Sequence, residues 1–292
     1  MAFHPAHWLV WLCLWPVLAL QPTGEPVRYP PEESATDQRS RYPVQLLELA
    51  LHKAGGQYVA VPASVPASQS RNLLLLAANQ GIDVFWTVTS WQREQQLLAV
   101  PVPIDRGLFG WRLLLIREGE QPRYSAITEL AALANWSGGQ GHDWPDAQIL
   151  RAAGLRIETS PSYDGLFGML LRRHIDYFPR SVAEIWQELD AQQDQPIALE
   201  QTLALHYPSA QYFFVHPDNQ PLAAALELGL RRAIEDGSFL SLFEQHYGRL
   251  IAKAGLGRRR VLELSNPQLP SSAPLADRSL WFSPDTPSQG AD

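Results

Sequence analysis

The feature that most constrains this chain is an alternation of strand-like and helix-like segments, punctuated by glycines, that runs from residue 43 to residue 256. Residues 43–54 place Val44, Leu47 and Leu51 on one helical face, with Leu46 and Ala50 beside them, until Gly55 and Gly56 stop the pattern. A short strand is predicted at 58–61, and a helix at 69–80 with Leu73, Leu76 and Ala77 inward and Gly81 as its stop. Residues 82–89 are apolar on both faces, as a parallel strand covered by helices would be, and 113–116 form another strand.

A second set comes next. Ser125 caps a short helix through 132, a strand occupies 133–136, and SGGQG at 137–141 reads as a glycine-rich turn. The helix at 145–153 has Pro145 in its first turn and Gly154 just past its end. Strands at 155–158 and 175–178 flank a helix at 166–173, and Ser181 with Glu184 has the spacing of a capping box. The chain then returns to a strand at 211–215 and a long helix at 221–236, with Leu222, Leu226, Leu230 and Ala233 on one face. A last helix opens at Ser238 and presents Phe239, Leu242 and Phe243 together. Beyond Gly257 the tail is rich in Pro and Ser, with an apolar LWF at 280–282 expected to dock on the body. This order predicts an α/β fold with mostly parallel sheets, right-handed crossovers and a ligand site beyond the carboxyl ends of the strands.

The charge balance narrows the partners. A net charge of −7, with a pI near 5.6, argues against nucleic acid, because the only basic run is Arg258 to Arg260. Residues 8–20 are apolar, interrupted by Pro16 and too short to span a bilayer, so residues 1–20 are expected to be a signal peptide for export to the periplasm. Val17 and Ala19 supply small residues before the cut; an uncleaved anchor is the alternative. The single Cys13 lies inside that stretch, so the mature chain would have neither a disulfide nor a cysteine-ligated metal. After cleavage no stable membrane insertion is expected.

Three segments carry a resemblance. DVFWTVTSWQREQQL at 83–97, SYDGLFGMLLRRHIDYFPRSVAEI at 162–185 and YFFVHPDNQPLAAALELGLRRAIEDGSFLSLFEQHYG at 212–248 succeed one another in order. Together they resemble the type II periplasmic solute-binding proteins, the amino-acid-binding-like family 3 of extracellular solute-binding proteins. The resemblance implies two α/β lobes, each a mostly parallel sheet flanked by helices, joined by two crossover segments near 117–122 and 207–212. It places 25–118 plus 211–256 in lobe 1, 119–210 in lobe 2 and 257–292 in a C-terminal tail. It also implies a monomer that captures a small anionic or amino-acid-like solute for the membrane component of an ABC transporter, with no cofactor. A sensory or interaction protein with the same fold and an altered site is the rival expectation.

The resemblance carries Arg93 over as the cleft arginine that holds a ligand carboxylate, geometry suited to a guanidinium, with Trp86, Thr87 and Ser90 just before it. Val88 stands where the family has a hydroxyl, and Pro179-Arg180-Ser181 stands where an acid often binds the ligand ammonium. The run Ser137, Gly139, Gly141 and His142 ahead of a helix could bring backbone N–H groups to an anion, with Arg180 adding charge. Tyr29, Trp144 and Tyr163, like Trp86, fall near strand ends where rings could stack on a ligand or simply fill the core.

No His-Glu-x-x-His, Walker or Gly-x-Ser-x-Gly pattern is present, and the few acids expected around Arg93 and Arg180 argue against a dehydratase on this scaffold. His142 with Asp143, and His174 with Asp176, are pairs only, short of a metal site.

Overall fold

The computed structural model describes residues 24–31, 40–64, 68–142 and 144–284; the expected signal peptide lies outside them. Strand β1 (Glu25–Tyr29) leads to helix α1 (Arg41–Lys53) and to β2 (Tyr58–Pro62), which pairs parallel with β1. The buried side of α1 carries Tyr42, Pro43, Leu46, Leu47, Ala50 and Leu51, the helical spacing read from the sequence. Next come α2 (Gln69–Ala77), β3 (Val84–Val88), the single turn α3 (Trp91–Glu94) and β4 (Leu98–Val100).

Strand β5 (Trp111–Arg117) is buried along its whole length. Short helices α4 (Gln121–Ser125) and α5 (Leu130–Leu133) precede β6 (Ser137–Gly141), α6 (Pro145–Ala152), β7 (Arg156–Ser160) and α7 (Tyr163–Leu171). Then come β8 (Phe178–Ser181), α8 (Ile185–Ala191), β9 (Ile197–Leu199) and β10 (Leu203–His206). Strand β5 is hydrogen-bonded to β8, β9 and β10, all antiparallel, and β6 pairs parallel with β7.

The chain then rejoins the first group. Strand β11 (Gln211–Val215) runs antiparallel between β3 and β4, and leads into α9 (Gln220–Glu235) and α10 (Ser238–Ala254). Helix α9 lies tight on α1: a Cβ at Gly229 would meet the Ala50 carbonyl oxygen at 1.9 Å, so only glycine permits that approach.

The tail returns to the sheet built around β5. Strand β12 (Arg260–Glu263) adds parallel to β10, and the chain then passes along the segments that precede β5 and β11. Asn266 Nδ2 donates to the Pro208 carbonyl at 2.8 Å, Trp91 N to the Gln268 carbonyl at 3.1 Å, and Phe282 N to the Arg106 carbonyl at 2.7 Å. Leu280 is buried, and Trp281 and Phe282 pack on the core, so the LWF segment docks as expected.

Four local expectations are corrected. The sheets are mixed, not mostly parallel: among the described ladders three are parallel and five antiparallel. A strand apolar on both faces reports only that both faces are covered, and β3 meets that condition beside an antiparallel partner. The stretch 133–136 ends a helix, and SGGQG is a strand, not a turn. Ser181 ends β8, with its Oγ accepting from Ala183 N, and α8 begins only after Glu184, whose carboxylate faces arginines instead of closing a capping box.

Candidate functional site

Strands β6 and β7 run parallel and Tyr177, just ahead of β8, bridges parallel to Gly138 of β6, so the carboxyl ends of the three strands, at Gly141, Ser160 and Ser181, share one edge. The segments that leave these strand ends build a wall there. The glycines of β6 make room for it. A Cβ at Gly138 would come 2.7 Å from the Tyr177 ring, one at Gly139 2.3 Å from Ile175 Cδ1, and one at Gly141 2.5 Å from the Trp144 indole. These glycines admit side chains from the next elements, where the sequence had suggested an anion cradle. Ser137 begins β6, and its N–H donates to Asp176 at 3.0 Å, which gives Asp176 a structural role. His142 is exposed just past β6, its N–H donating to the Ser160 carbonyl.

Trp144 at the start of α6, Tyr163 at the start of α7 and Arg180 near the end of β8 come together. The Arg180 guanidinium carbon lies 4.6 Å from the Trp144 ring centre, 5.2 Å from Phe178 and 5.9 Å from Tyr163. Arg180 is only 5% exposed. Its Nε donates to both carboxylate oxygens of Glu188, at 2.8 and 2.9 Å, and its Nη2 lies 2.5 Å from Glu188 and 3.2 Å from Glu184. Burial alone would lower its pKa; the Glu184 and Glu188 carboxylates win and raise it further above the ordinary arginine value.

Arg112, at the start of β5, extends the network. It pairs with Asp146 in the first turn of α6, donates from Nε to the Tyr207 hydroxyl at 2.9 Å, and approaches Glu184 at 3.7 Å. The Tyr207 hydroxyl also donates to Asp146, and burial pushes that phenol well above its usual range. Two guanidiniums therefore face three carboxylates here, and the expected scarcity of acids around Arg180 is corrected. These acids are engaged as counter-ions.

The other wall is assembled locally. Ser90 caps α3, its Oγ accepting from Arg93 N at 3.3 Å. The Arg93 Nη1 turns back to the end of β3, where it donates to Thr87 Oγ1 at 3.0 Å and to the Val88 carbonyl. Thr89 donates to Glu94 at 2.6 Å. Trp86 is buried, with Phe85, Phe213 and the half-buried Tyr29 as ring neighbours, the last at 6.2 Å. Tyr29, Trp86, Thr87, Ser90 and Arg93 thus gather at the carboxyl ends of β1 and β3.

Among the described residues, no three His, Cys, Asp or Glu side chains come together as a metal site would require. Asp143 lies outside the described residues. A cavity of about 400 Å³, lined by Trp111, His206, Arg259, Glu263 and Phe282 among others, opens beside the tail and involves neither wall. Sequence reasoning missed Arg112, Asp146, Glu184, Glu188 and Tyr207 as parts of a site. The Arg180, Glu184, Glu188 spacing was a usable signal; Arg112 and Asp146, 34 residues apart, offered none.

No protein-family profile matches the sequence, and no curated protein does. Solved structures do match. The periplasmic VFT2 domain of BvgS from Bordetella pertussis superposes with a TM-score of 0.57 at 13% identity, covering 77% of this chain and 94% of that one. A periplasmic binding protein of Salmonella typhimurium with high arginine specificity gives 0.54 at 14%, covering 77% and 100%. The GluR0 ligand-binding core from Nostoc punctiforme, solved with L-glutamate, gives 0.52 at 14%, covering 76% and 99%. At such identities the likeness is one of fold, and this chain has the two-lobed α/β fold of the type II periplasmic binding proteins.

Proposed function

We propose that this is an exported solute-binding protein whose two lobes close on one small molecule. The observation that carries this is the pair of walls, each at the carboxyl ends of strands, where open α/β sheets take ligands. The first wall offers Arg93, Thr87 and Tyr29, suited to a carboxylate and a flat group; the second offers the rings of Trp144 and Tyr163, the latter 43% exposed. The ladders of β5 support placing the first crossing within 101–110, ahead of β5, and the second at 207–210. On this reading the protein works as a monomer in the periplasm and hands its solute to the membrane component of an ABC transporter. The relatives solved with amino acids support an amino-acid-like ligand.

A second reading has its own support. Both arginines expected to face an anion are held by groups of the protein, Arg93 by Thr87 and Val88, Arg180 by Glu184 and Glu188. That arrangement suits a sensory or interaction protein with an altered site, and the BvgS domain shows the same fold inside a differently named protein. A thermal-shift screen of residues 21–292 against amino acids, small carboxylates, sugars and polyamines separates the two. A saturable rise for one class, lost in Arg93→Ala, supports the binding protein, because a ligand that binds only the folded state stabilises it. A flat panel moves the assignment to the second reading.

A further inference from the structure

The second-lobe wall has the parts of a receptor for a planar cation, and a cation is already in it. Three aromatic rings surround the Arg180 guanidinium at 4.6 to 5.9 Å, and the Glu188 carboxylate meets its Nε with both oxygens. Glu184 closes the remaining side at 3.2 Å. Ring faces draw cations, and a carboxylate fork matches a guanidinium, so each group selects the same chemistry. The pocket is assembled from α6, α7, β8 and α8, with Gly141 admitting the Trp144 indole.

We infer that Arg180 is a tethered occupant of a guanidinium-binding pocket, and that it sets ligand specificity by keeping cationic solutes off the second-lobe wall. This deepens the solute-binding reading and rests on it for its biological meaning. Glu184 and Glu188, which would otherwise attract an ammonium or guanidinium group from a ligand, are neutralised from within. The solute meets only the outer parts of Tyr163 and Trp144, so the native cleft selects a neutral or anionic group at this wall.

The test is chemical replacement of the tethered group. Arg180→Ala leaves a cavity lined by three rings and two carboxylates, and propylguanidinium has the shape and charge of the missing side chain. Melting temperature is followed against propylguanidinium, with propylammonium and sodium at equal ionic strength as controls. The expected result is a saturable rise of about 2–3 °C at ten times the dissociation constant in Arg180→Ala, with no such rise in the wild type. Adding Glu188→Gln should abolish it. An Arg180→Ala protein that responds to propylguanidinium no more than to propylammonium overturns the inference.

If Arg180→Ala does not fold alone, recovery of soluble protein on refolding is read instead. Rescue by propylguanidinium only supports the occupant role, and rescue by neither ion overturns it. A flat solute screen of the wild type defeats the solute-binding reading and leaves this test standing, because the probe fills the side chain's own place.

Discussion

The two walls differ in how far apart in the chain their parts lie. The first wall's polar half is one strand end and one helical turn: Thr87, Ser90 and Arg93 fall within seven residues and satisfy each other through short-range hydrogen bonds. The second wall draws on β5, α6, β8, α8 and the segment after β10, from Arg112 to Tyr207, and its charges are buried against one another. Single local hydrogen bonds of this kind contribute little each. A buried ion network is strongly interdependent, because removing one partner strands the other charge in a poor solvent.

The sharpest way to break this comparison is Glu188→Ala. It leaves Arg180 with Glu184 alone, and it should destabilise the protein by about 3–5 kcal/mol in urea denaturation. A loss no larger than that of a surface substitution would make the two walls equivalent.

Asp105 is fully buried and accepts backbone N–H groups from Gly107, Phe109 and Gln211, tying the segment ahead of β5 to β11. Burial raises its pKa to about 6 from an ordinary 3.8, against the pull of those hydrogen bonds. The folded state therefore holds this proton more tightly than the unfolded chain. Its stabilising contribution is full below the unfolded value and is lost as pH rises through about 6, on the order of 3 kcal/mol. Urea midpoints at acid and neutral pH should show that slope, and Asp105→Asn should flatten it. An unchanged slope in the variant would assign the pH dependence elsewhere.

Gly139→Ala asks whether the glycine run is a packed strand. A Cβ there would meet Ile175 Cδ1 at 2.3 Å, so a cost of about 1–3 kcal/mol is expected from overpacking. A thermal melt equal to wild type would instead favour an open loop. The smallest effect belongs to the first wall: Ser90→Ala removes the cap of α3 and should cost about 1 kcal/mol. It should leave the second wall's response to Glu188→Ala unchanged, since distant sites add.

The α/β order, the inward faces of α1 and α9 and the docking of residues 280–282 were all legible, because each depends on periodicity or composition within one segment. The Ser90 and Arg93 turn was legible for the same reason. SGGQG was misjudged because glycine signals two different needs. A turn needs positive φ; β6 needs the absence of Cβ, and only Tyr177, Ile175 and Trp144 standing nearby reveal which applies.

The sequence by itself determined that strands alternate with helices over most of the chain and that Trp86, Arg93, Tyr163 and Arg180 fall near strand ends, while the family resemblance implied the two lobes. The tertiary structure decided strand direction, the path of the tail along the segments ahead of β5 and β11, and the counter-ions of Arg180. Hydrophobic periodicity reports that a face is covered without saying by what. A charge reports only that it needs a partner, and which carboxylate meets it depends on packing between elements far apart in the chain.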